Sequence, residues 1–91
     1  MIQAFLQKIE ADPRIYATHI SVYIGLWKLW VEKGDQLSLT FFSQEVKGFC
    51  KIYSRTTLFK TIRELHAYGY INYTPSYNHF QGSQVMFIEL N

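Results

Sequence analysis

The stretch that most limits the possible folds is residues 19–33, HISVYIGLWKLWVEK. Thr18 before it suits an N-cap, and Gly34 after it suits a left-handed residue closing a helix, so the spacing predicts one long helix. Its polar residues Ser21, Gly25, Lys28 and Glu32 lie on one line, at steps of 4, 3 and 4. Ile20, Val22, Tyr23, Ile24, Leu26, Trp27, Leu29, Trp30 and Val31 fill most of the remaining circumference. A helix apolar on more than one face must be covered on more than one side. The core and a neighbouring helix cover part of it, and a second copy of the chain is the expected cover for the rest. Tyr23, Trp27 and Trp30 follow one another at i, i+4 and i+7. Together with Phe5 of the preceding helix they are the expected homodimer interface, because aromatic side chains concentrate in interface cores.

With 91 residues, 48% of them hydrophobic and 18% aromatic, the chain suits one domain, 1–91, with a modest core, and not a disordered segment. The single cysteine, Cys50, excludes an internal disulfide. The opening MIQAFLQKIEADPR interrupts its apolar spacing with charges, unlike a secretion signal, and no run of apolar residues is long enough for a membrane. A cytoplasmic protein is expected. His19, His66 and His79 lack the spacing of a helical metal pair, and no Ser-His-Asp set, carboxylate pair or Gly-rich phosphate loop is recognisable. Neither an enzyme, a metal, a cofactor nor a small-molecule ligand is expected.

Charge is distributed unevenly. Lys8, Arg14, Lys28 and Lys33 are balanced over residues 1–35 by Glu10, Asp12, Glu32 and Asp35. Residues 36–80 set Lys47, Lys51, Arg55, Lys60 and Arg63 against Glu45 and Glu64 alone, an excess that fits a polyanionic partner. In the same region QLSLTFF alternates as a strand does, with Leu37, Leu39 and Phe41 on one face. Ser43 is placed to cap a short helix carrying Val46, Phe49 and Cys50, and Lys51 to Tyr53 form a turn. Ser54 then caps a helix whose Leu58, Ile62 and Leu65 face inward and which Gly69 closes. YGYINYT and QVMFIEL read as the two strands of a hairpin around PSYNHFQGS. Ile2, Phe5, Leu6 and Ile9 predict a further helix at the start.

Helix, helix, strand, short helix, turn, helix and hairpin is the order of an α+β winged helix-turn-helix domain: a trihelical core and a β-hairpin wing, here with an extra N-terminal helix. In such a domain the third core helix enters the major groove and the wing braces against the backbone. Residues 54–66 are then the reading helix. Arg55 is the candidate for guanine, Ser54, Thr56 and Thr57 stand in the first turn beside phosphate, and Lys60 and Arg63 follow. Lys47 and Lys51 flank the backbone, and Asn78 and Gln81 reach from the wing, 74–84.

SRTTLFKTIRELHAYGYI resembles the reading helix and first wing strand of many bacterial winged-helix regulators. HISVYIGLWKLW and GYINYTPSYNHFQGSQV are more narrowly similar to the small winged helix-turn-helix proteins of Bacteroidetes, transcriptional regulators often encoded near mobile elements. The resemblance runs over about residues 3–88 and implies a sequence-specific binder of double-stranded DNA. It leaves open an architectural or excision accessory role, and the aromatic surplus leaves open a winged-helix module that binds protein.

Overall fold

The structure, a computed structural model, describes residues 2–34, 36–76 and 80–90. Four helices and three strands follow in the order α1 (Ile2–Ile9), α2 (Ala17–Glu32), β1 (Leu39–Phe41), α3 (Ser43–Cys50), α4 (Arg55–Ala67), β2 (Ile71–Thr74) and β3 (Ser83–Phe87). The strands form one antiparallel sheet in the order β1-β3-β2. This α+β arrangement is compatible with a winged-helix layout. No helix among the described residues is long and apolar enough to cross a membrane.

The core lies where α2, α3 and α4 meet one face of the sheet. Leu58, Ile62 and Leu65 are fully buried, as their spacing predicts, against Val22, Leu26, Val46 and Ile71. The register sets Leu39, Val85 and Tyr73 side by side across the sheet, with Thr40, Gln84 and Thr74 as the adjacent outward row. Leu37 lies outside β1 and is 86% exposed, so the inward alternation starts at Leu39.

Two caps differ from expectation. α2 begins at Ala17, ahead of Thr18, because the Tyr16 N–H donates to Nδ1 of His19 (2.9 Å) and fixes the first turn from there. Ser43 is the first residue of α3 and not its cap. The N–H of Phe42 donates to Oε1 of Glu45 (3.0 Å), and this leaves the Ser43 hydroxyl for another partner. Ser54 does cap α4, accepting from the Thr57 N–H at 3.2 Å. At the other end Gly69 takes a positive φ of 88°, while the Tyr70 N–H returns to the Leu65 carbonyl and turns the chain into β2.

Phe5 and Tyr23 correct the interface expectation. Both have no exposed surface and stack on each other with ring centroids 3.6 Å apart, so α1 is bound to α2 through them and neither has a face to offer a second copy. Trp30 is half-buried against Phe87 (5.2 Å), and its indole N–H donates to the Gln36 carbonyl. Trp27 is half-buried on the outer side of α2.

α3 approaches α2 closely at Gly25, where a Cβ would come within 3.1 Å of the Cys50 Cβ. The Ser21 hydroxyl donates to the Cys50 carbonyl beside it. His19 joins α2 to α4. With Nδ1 accepting from Tyr16, the proton sits on Nε2 and is donated to Oε1 of Glu64 at 2.9 Å. β2 is an edge strand, and the Tyr73 N–H that points away from β3 is taken by Nδ1 of His66 (3.0 Å), which removes a donor from which another strand could pair.

Candidate functional site

α4 turns one face to the core and leaves a second face open beside the β2–β3 hairpin. Between them runs a groove of about 440 Å³, lined by Arg55, Thr56, Phe59 and Arg63 from α4 and by Tyr73, Pro75, Ser76 and Ser83 from the hairpin. No carboxylate is among the described residues that line it. Arg55, Thr56 and Arg63 are exposed, while Phe59 and Tyr73 are half-buried and form its apolar floor.

Arg55 is the most constrained cation there. Its Nη1 donates to the Ser43 hydroxyl at 3.1 Å, and its guanidinium lies 4.9 Å from the centroid of the Phe59 ring. Phe59 is itself held between Phe41 (6.4 Å) and Tyr73 (6.3 Å). Phe59 is therefore the surface on which Arg55 rests.

The other expected contacts spread around this groove. Ser54 and Thr57 are exposed in the first turn of α4, and the Thr57 carbonyl accepts from the Thr61 hydroxyl (2.8 Å). Lys60 is exposed but lies outside the groove lining. Lys47 is half-buried on α3. Lys51 is exposed and occupies the left-handed region at φ 61°, which is how a turn without glycine is closed between α3 and α4. Gln81 is exposed in a neighbouring depression with Thr40, Thr74 and Gln84. Asn78 lies outside the described residues. Among those described, no three His, Cys, Asp or Glu side chains gather as a metal ion would require.

The electrostatics follow from which charges are paired. Asp12 pairs with Arg14 and Glu45 with Lys33, each at 2.9 Å, while Glu64 accepts a hydrogen bond from the neutral His19 at 2.9 Å. Among the described residues no ion pair joins Lys47, Lys51, Arg55, Lys60 or Arg63 to a carboxylate. The hydrogen bond and charge of Arg14, with the Tyr70 hydroxyl at 2.6 Å, hold the Asp12 carboxyl well below the usual carboxylate range. Burial first, and then the bond to Asp12, pushes the Tyr70 phenol up to about 12.

Ser43, Phe59, Tyr73, Pro75, Ser76 and Ser83 were not among the expected site residues. For Phe59 the i, i+4 spacing from Arg55 is a usable signal, since side chains so spaced meet on a helix. Ser43 and the hairpin residues reach the groove only through tertiary packing. No protein-family model, curated protein or solved structure matches the chain.

Proposed function

We propose that this is a winged-helix protein that binds double-stranded DNA in a sequence-specific way and acts as a transcriptional regulator, with α4 in the major groove and the β2–β3 hairpin as the wing. The observation that carries this reading is the cationic groove between α4 and the hairpin. Among the described residues its arginines have no internal counter-charge, whereas Asp12 and Glu45 are paired elsewhere and Glu64 is hydrogen-bonded to His19. A cation that no carboxylate needs for folding is available to phosphate or to a base edge. In this reading Arg55 reads guanine, while Arg63, Lys60 and Lys51, with the first-turn amides of α4, hold the backbone.

The test is fluorescence anisotropy of a labelled duplex from the region upstream of the gene, against a scrambled duplex, across a salt series. Preferential binding, with affinity falling as salt rises, is the expected result. Absence of binding to either duplex at low salt rejects the reading.

A second reading, association of two copies, is favoured by the outer face of α2. Ile24 and Val31 are 38% and 43% exposed there, with Ile20 and Trp27 half-buried on the same side. The proposed homodimer interface is thus Ile20, Ile24, Trp27 and Val31, which keeps Trp27 and replaces Phe5, Tyr23 and Trp30, the last packed on Phe87. Sedimentation at micromolar concentration should give about twice the 10.8 kDa of one chain, and a monomer throughout rejects it.

A further inference from the structure

We infer that Ser43 and Phe59 are positioning residues that hold the Arg55 guanidinium as a preorganised reader of guanine; this rests on the DNA reading above. An arginine on a helix surface ordinarily samples many rotamers, and ordering it on binding weakens the complex. Arg55 is restrained beforehand from two directions. The Ser43 hydroxyl, on a residue only 8% exposed, accepts from Nη1 at 3.1 Å. The guanidinium carbon lies over the Phe59 ring, 4.9 Å from its centroid, and Phe41 and Tyr73 flank that ring in turn.

The restraint matches base reading better than phosphate binding. A phosphate is satisfied by a mobile point charge, whereas a bidentate contact to guanine O6 and N7 needs the guanidinium plane in a set orientation. With the guanidinium carbon over the Phe59 ring and one N–H engaged by Ser43, the remaining N–H donors are left for a base edge. Ser43 is available for this because Glu45 accepts the N–H of Phe42 and so takes over the capping of α3.

The experiment selects bound duplexes from a randomised pool, using the wild type, Ser43→Ala, Phe59→Leu, Phe59→Tyr and Arg55→Lys, and measures the salt dependence of each. In parallel, relaxation of the Arg55 Nε–H is followed by NMR in the free proteins, each first shown to be folded. The wild type should enrich a guanine-containing motif and show an ordered Nε–H. Arg55→Lys should lower the preference by roughly ten-fold or more, with the salt dependence unchanged. Ser43→Ala and Phe59→Leu should loosen the Nε–H and lower the preference by roughly two-fold to ten-fold, the cost of re-ordering one long side chain. Phe59→Tyr keeps the ring and should restore both readouts.

A merely structural staple between α3 and α4 predicts something else: Ser43→Ala would lower the melting temperature and weaken binding to all duplexes equally, with the motif intact. That result overturns the inference, as does an Nε–H equally mobile in the wild type and Phe59→Leu. If the wild type retains none of the pool at low salt, the DNA reading falls and the inference with it. If the wild type selects a motif that Ser43→Ala and Phe59→Leu leave unchanged, only the positioning role falls.

Discussion

The segment around Pro13 and the open face of α4 both carry arginine beside aromatic rings, and they use it in opposite ways. Arg14 donates to both oxygens of Asp12, at 2.9 Å each, and lies 4.4 Å from the Tyr68 ring, while Asp12 also accepts from Tyr70. Asp12 and Arg14 both have internal partners, and the cluster fastens the chain between α1 and α2 onto the start of β2. On α4, Arg55 has an aromatic ring and a hydroxyl but no carboxylate, and Arg63 has no internal ion pair among the described residues. The difference separates charges that the fold pairs from charges that, among the described residues, it leaves without an internal counter-charge. Substitutions in the first group should change stability, and substitutions in the second should change binding.

The largest effect expected belongs to neither group and sets the scale. Leu65 is fully buried behind α4, so Leu65→Ala should lower unfolding free energy by about 2–5 kcal/mol through the cavity left behind. Urea unfolding measures it. The fraction that stays folded should bind duplex as the wild type does, because the open face of α4 is untouched. Reduced binding by that folded fraction would show that the core and the open face of α4 are coupled.

Next come the arginines. Arg55→Ala should weaken binding to a preferred duplex by about 1–3 kcal/mol while the melting temperature stays close to that of the wild type. Arg14→Ala should do the reverse, leaving affinity unchanged and lowering the melting temperature slightly, because an ion pair on a half-exposed side chain is screened by water. Anisotropy and thermal unfolding of the same two variants break the comparison if either one moves both quantities.

The paired region should also announce itself at high pH. Burial and the Asp12 bond push Tyr70 up to about 12, and burial pushes Tyr23, whose hydroxyl has no hydrogen-bond partner among the described residues, up to about 12 as well. Both phenols titrate near 10 in the unfolded chain. Their contribution is therefore fully present below pH 10 and lost as the pH rises toward 12, on the order of 1 to 2 kcal/mol for each. Urea unfolding between pH 9 and 12 should show this decline, and Tyr70→Phe should make it shallower. An equal decline in Tyr70→Phe would mean that the phenol is not what titrates.

Most of the architecture was legible in the sequence because it depends on short-range pattern: the Leu58, Ile62, Leu65 stripe, the Ser54 cap, the closing Gly69 and the order of elements. What failed was the allocation of an aromatic surplus. Periodicity says that Phe5 and Tyr23 are on apolar faces, but not whether a neighbouring helix or a second copy covers them, and here α1 and α2 cover each other through them. The site was legible in its charges and not in its shape. Arg55 and Arg63 stand out as excess cations, whereas Ser43 becomes Arg55's partner only because Glu45 displaces it from the cap and α3 crosses near the start of α4. Such a contact between residues twelve apart on different helices leaves no local trace.

Lys51 tests the division between fold and partner at a single residue, because it serves both. Its backbone sits at φ 61°, a conformation in which a side chain is crowded by its own carbonyl, and its ammonium is exposed near the start of α4. Lys51→Gly relieves the crowding and removes the cation together. It should raise stability by about 0.5–1 kcal/mol, the gain being limited by the extra freedom glycine has in the unfolded chain. If Lys51 touches phosphate, the same change should reduce the salt slope of DNA binding by about one unit. Lys51→Ala removes the cation without relieving the backbone, so it should reproduce the lower slope and not the added stability. A slope unchanged in both variants would take Lys51 off the DNA and leave it a residue of the turn. A slope lowered in both, with stability raised only in Lys51→Gly, would show that the charge at this position serves binding while the fold itself would do better with glycine.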